Sequence, residues 1–154
     1  MHSYFRQVPS ILKAGALFLP MADARIASID IGDIADVAAD VLTGAGHEGR
    51  TYPITGPEAL TMTEVAEKLS AATGMPIRYV DVSPDQFISA RLAAGAPQYL
   101  VDGLAELFAE RRKGKEARVW PVMETVFGRR PTSFDEFAGR YAAIFRGEQP
   151  APRV

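Results

Sequence analysis

Cysteine is missing from the sequence, which excludes disulfides, thiolate metal sites and a cysteine nucleophile, and agrees with the expected cytoplasmic location. Histidine is scarce too: His2 and His47 stand far apart with no recognisable ligand spacing, so no metal site is expected. Neither sign of charge prevails. With 17 Lys and Arg against 19 Asp and Glu the net charge is −2, and apart from Arg111, Arg112 and Lys113 the cations are scattered, so no field is present to hold a nucleic-acid backbone. No window approaches the roughly 20 apolar residues of a membrane span, and the opening MHSYFRQ lacks the apolar core of a signal peptide. Internal repeats and low-complexity segments are also absent, which excludes solenoid architectures.

What is present is a chain of 154 residues, 47% of them apolar, enough for one domain with a real core and too short for two typical ones. A single domain over residues 1–146 is expected, with the polar, proline-rich residues 147–154 as a disordered tail. The chain is organised around residues 26–42, IASIDIGDIADVAADVL. Ile29 and Ile31 alternate with Ser28 and Asp30 as in a half-buried strand, and Ile34, Val37, Ala38, Val41 and Leu42 then follow helical spacing. The period changes at Asp33, which is expected to cap the helix, with Asp36 adding negative charge near the positive end of its dipole.

Around this corner the local signals alternate. Pro9 divides the first residues into two short helical pieces closed by Gly15, and residues 16–19, 51–55 and 77–82 read as strands. Thr61 with Glu64, Ser83 with Gln86 and Ser133 with Glu136 each form a capping box, and Leu60 and Val65 are placed for a hydrophobic staple at the first. Pro97 opens a helix with Leu100, Leu104, Leu107 and Phe108 on one face; Pro121 opens another that stops at Gly128. Residues 118–120 fit either an extended piece or a helix lead. The last helix carries an aromatic stripe of Phe134, Phe137, Tyr141 and Phe145, of the kind that fills cores. The fold class is therefore α/β, a partial Rossmann-like arrangement of three or four short strands with helices, its C-terminal third mainly helical.

No catalytic group follows from spacing. Gly44, Gly46 and Gly49 match the letters of the dinucleotide fingerprint, but a helix precedes them and a strand follows, the reverse of what pyrophosphate binding needs. His47, in that loop, is expected to be solvated. Asp30 and Asp33 could pair for acid–base work, but capping accounts for Asp33. No tyrosine is followed four residues later by lysine, and no G-x-S-x-G elbow occurs.

The segments around IDIGDIA (residues 29–35), the strand and turn at 52–60, and residues 128–137 together resemble the C-terminal half of the NmrA-like family of atypical short-chain dehydrogenases, over most of residues 4–145. The resemblance implies an NAD(P)-binding Rossmann fold with a small C-terminal substrate region, serving quinone, dye, azo or small-carbonyl reduction in some members and redox sensing without turnover in others. The glycine-rich phosphate turn and the first five strands belong to an N-terminal half outside this sequence, so this chain alone is expected to bind no cofactor. By the same resemblance residues 51–55 are the sixth strand, and Tyr4 and Phe5, in the segment after the fifth, are substrate-pocket candidates, with core packing as the alternative. An unpaired sheet edge and uncovered helix faces require a cover, either a homo-oligomer partner or the missing half. The expected function is the substrate-binding portion of such an oxidoreductase, inactive alone; the alternative is a non-catalytic sensing or association module.

Overall fold

In the computed structural model, residues 1–152 are described. A 3-10 helix, His2–Gln7, runs into helix α1 (Val8–Ala14), which accepts Pro9 because the first turn needs no donor there and ends at Gly15 in the left-handed conformation. Strand β1 (Ala16–Leu19) follows. It pairs in parallel with β2 (Arg78–Asp81), Leu17 opposite Tyr79 and Leu19 opposite Asp81, and these two strands are the whole sheet among the described residues. The crossover between them holds α2 (Ile31–Thr43) and α3 (Met62–Thr73). Beyond β2 lie α4 (Pro84–Ala93), α5 (Gln98–Arg111), α6 (Val122–Phe127), α7 (Phe134–Arg140) and α8 (Ala142–Phe145), so the α/β class with a helical final third stands.

All three capping boxes form, at Thr61, Ser83 and Ser133, each with both reciprocal hydrogen bonds. These are signals confined to four residues, and nothing distant competes with them. The α2 corner differs from its sequence reading. Asp30, not Asp33, is the N-cap, its carboxylate accepting from the Gly32 N–H at 2.7 Å. The helix thus begins at Ile31, and of the expected strand only an isolated antiparallel bridge from Ile26 to Leu60 remains. Residues 51–55 form no strand either. A strand is defined by a neighbour's hydrogen bonds, and no other strand lies alongside these residues to supply them. Residues 118–120 are neither helix nor strand, with the Trp120 N–H bonded to the Thr55 hydroxyl at 2.9 Å. Residues 147–152 contain no helix or strand, and the rest of the expected tail lies outside the described residues.

The core joins the two ends of the chain. Phe5 stacks on Phe137 with ring centroids 5.6 Å apart and meets Tyr141 edge-on at 5.2 Å, while Phe134, Phe137 and Phe145 are almost wholly excluded from solvent. The aromatic stripe thus packs against the 3-10 helix, α1 and α3. At the other end of β1, the Tyr79 hydroxyl lies 2.9 Å from the Leu19 carbonyl, 2.8 Å from the Asp81 carboxylate and 3.1 Å from the Met21 N–H. This knot fixes Leu19 and Met21, which face the cavity described next.

Candidate functional site

A cavity of about 570 Å³ lies between the 3-10 helix and the α4–α5 pair. Its walls are apolar: Leu19 and Met21 after β1, Met62 at the start of α3, Phe87 on α4, and Leu104 and Phe108 on α5. Phe87 and Phe108 meet edge-to-face at 5.0 Å, a rigid aromatic corner. Leu100 and Leu107 also line it and are 39% and 37% exposed. The apolar stripe that periodicity marks on α5 is therefore divided, with Phe108 in the core and Leu100 and Leu107 facing the cavity, partly open to solvent.

The polar groups are few. Tyr4 and Ser28 place their hydroxyls 3.4 Å apart at the cavity wall. Burial holds the Tyr4 phenol above its usual pKa, so the O–H stays intact at neutral pH and can donate to a carbonyl oxygen or an azo nitrogen. Gln7 and Ser3 also reach the cavity, with Arg6, Arg91 and Arg111. Of the two residues singled out in the sequence, Tyr4 lines the cavity, whereas Phe5, 2% exposed, lies behind it in the aromatic cluster. Ser28, Gln7 and the three arginines escaped sequence reasoning because they come from separate elements; only the α5 stripe signalled a wall there.

A second cavity, about 450 Å³, shares Ser3, Arg6, Ile26, Ser28 and Arg111 with the first and extends to Ile31 and Ile34 at the start of α2. Here α2 presents an apolar face outward: Ile31, Ile34 and Leu42 are 55%, 42% and 83% exposed. Its attachment to the body is largely polar. Asp33 accepts from the Thr132 N–H and hydroxyl, both at 2.8 Å, and Asp40 holds Arg129 through two hydrogen bonds of 2.8 and 3.1 Å. Val37 is the one α2 residue that is both apolar and buried. Asp33 is thus a tie between α2 and the entry to α7, and Asp30 keeps one carboxylate oxygen buried with no hydrogen-bond partner.

The glycine loop does not fit a dinucleotide's pyrophosphate. Gly44 terminates α2 and no helix begins at Gly46 or Gly49, so no free helical N–H groups converge there. His47 is not simply solvated. It is half-buried, its Nδ1 lies 2.8 Å from the Tyr52 hydroxyl, and its ring stacks near Phe127. Among the described residues no group of three or more His, Cys, Asp or Glu could hold a metal ion, and no helix is long and apolar enough to cross a membrane.

No protein-family model matches the chain. An NAD(P)H azoreductase of Xenophilus azovorans is 39% identical over 145 residues, 94% of this chain and 51% of that protein. Quinone oxidoreductase 2 of Escherichia coli strain K12 is 34% identical over 112 residues, 73% of this chain and 38% of that protein. The crystal structure of an NADPH-dependent quinone oxidoreductase from Escherichia coli, complexed with NADPH, matches with a TM-score of 0.81 at 30% identity, covering 89% of this chain and 48% of that one. The chain spans about half the length of the curated relatives it matches.

Proposed function

We propose that this chain is the acceptor-binding portion of an NmrA-like, NAD(P)H-dependent oxidoreductase acting on a quinone, an azo or other dye, or a small carbonyl compound. One contrast carries the reading: the apolar cavity with its Tyr4 and Ser28 hydroxyls is assembled entirely from this chain, while its only dinucleotide-like glycine loop has no helix to meet a pyrophosphate. Relatives of twice the length whose names specify NAD(P)H or quinone support the assignment. The cofactor is assigned to the half of those relatives that this chain does not span, so the chain alone binds none and turns nothing over. Its own contribution is to bind and orient the acceptor and exclude water. Tyr4 donates a hydrogen bond to the acceptor, and Phe5 holds the 3-10 helix that carries Tyr4. The exposed face of α2 is assigned to packing against the dinucleotide-binding half; a second copy of the chain is the other candidate for that face. Cytoplasmic location follows the same reading.

Calorimetric titration of naphthoquinone into the chain, with no nicotinamide present, tests the proposal. One site of micromolar affinity, lost when Leu104→Trp fills the cavity, is expected. No binding, or binding indifferent to L104W, overturns it, and no binding together with concentration-dependent self-association is what a non-catalytic association module would give.

A further inference from the structure

We infer that the cavity selects an acceptor bearing an anionic group on an apolar body, with Arg6, Arg91 and Arg111 as the residues that determine this specificity. The inference rests on the cavity being the acceptor site and adds the charge class of the acceptor. Three arginines from three elements, the 3-10 helix, α4 and the last turn of α5, line one apolar volume, and no aspartate or glutamate is among its lining residues. Composition does not account for this, because acidic residues outnumber Lys and Arg, 19 to 17.

Two of the three are held in place. The Arg91 guanidinium lies 5.1 Å over the ring of Phe87, itself a wall of the cavity. Arg111 gives its Nε–H to Glu116 at 3.0 Å, and a guanidinium has five N–H donors in a rigid fork. Arg6 lines the cavity, its neighbour toward α2 and a third opening of about 510 Å³ toward α4. It shares the third opening with Arg91 and the second with Arg111, so an anion lodged at Arg6 is flanked by both and leaves the apolar remainder to the leucine and phenylalanine walls. A neutral flat acceptor needs those walls and one hydroxyl donor. Guanidiniums beside low-dielectric walls are poorly solvated, and an oxyanion replaces the water they give up with charge-assisted, bidentate hydrogen bonds.

The test compares azobenzene sulfonate with azobenzene sulfonamide, which have similar shape and differ in charge, by calorimetric titration into the full chain. The sulfonate is expected to bind about tenfold more tightly, the scale of one charge-assisted hydrogen bond, with the ratio shrinking as salt is raised. Arg91→Gln, Arg111→Gln and Arg6→Gln should each cut the preference several-fold with sulfonamide affinity retained, and Arg91→Lys should keep most of it. Sulfonamide binding without sulfonate preference overturns this inference alone, as does a preference that survives all three Gln substitutions or is insensitive to salt. Failure of both compounds to bind overturns the acceptor-site reading and this inference with it. The Lys variant and the salt series decide the matter where a Gln variant does not fold.

Discussion

The aromatic wall and the outer face of α2 are both apolar, yet they satisfy that apolarity in opposite ways. On the wall, Phe5, Phe134, Phe137 and Phe145 bury their rings against one another, none more than 2% exposed. On α2, Ile31, Ile34 and Leu42 point outward while Asp33 and Asp40 make the attachments. A helix normally buries its apolar stripe and solvates its carboxylates. The reversal on α2 teaches that its sequence is written for a further surface, whereas the wall is complete within this chain.

The sharpest way to break that contrast is to truncate one residue on each side. Phe137→Ala should lower unfolding stability by about 3–5 kcal/mol in a denaturant titration, as for large aromatic residues removed from cores. At the junction of the two regions, Gly56→Ala should cost about 1–3 kcal/mol. A Cβ there would stand 2.0 Å from the Ser28 carbonyl oxygen, so the backbone beside Ser28 must shift. Thr61→Ala, which removes one half of the α3 capping box, should cost about 1 kcal/mol by the same measurement.

The wall is also expected to be the acid-sensitive side. Arg130 and the Ser133 backbone N–H hold Glu136 down to about 2, below its value in an unfolded chain. Its contribution is therefore fully present above about pH 4.5 and lost as pH falls towards 2. Glu136→Gln should flatten the decline in melting temperature over that range. The smallest effect belongs to α2: Leu42→Asp should change the stability of the isolated chain by no more than about 0.5 kcal/mol, while abolishing any self-association seen by sedimentation. A loss comparable with that of F137A would erase the contrast.

Legibility in the sequence followed the same division between local and distant. Thr61, Ser83 and Ser133 announced their helices because a capping box is written in four consecutive positions. At α2 two aspartates three residues apart both suit a cap, and the choice fell to Asp30 because Thr132, 99 residues away, takes the Asp33 carboxylate. Residues 51–55 have strand composition but no partner strand, and pairing cannot be read from one segment. The cavity was the least legible feature. Tyr4 was singled out by resemblance, while Ser28, Arg91 and Arg111 meet it only through the fold, and the α5 leucine stripe is the one local trace of the wall they share.

The central claim is that acceptor recognition resides in this chain and dinucleotide recognition does not. It is tested most directly by titrating the purified chain separately with naphthoquinone and with NADPH, following heat for the first and nicotinamide fluorescence for the second. The account predicts saturable micromolar binding of the quinone and no saturable binding of NADPH in that range. Micromolar NADPH binding by this chain alone, or quinone binding that appears only once NADPH is added, would contradict it.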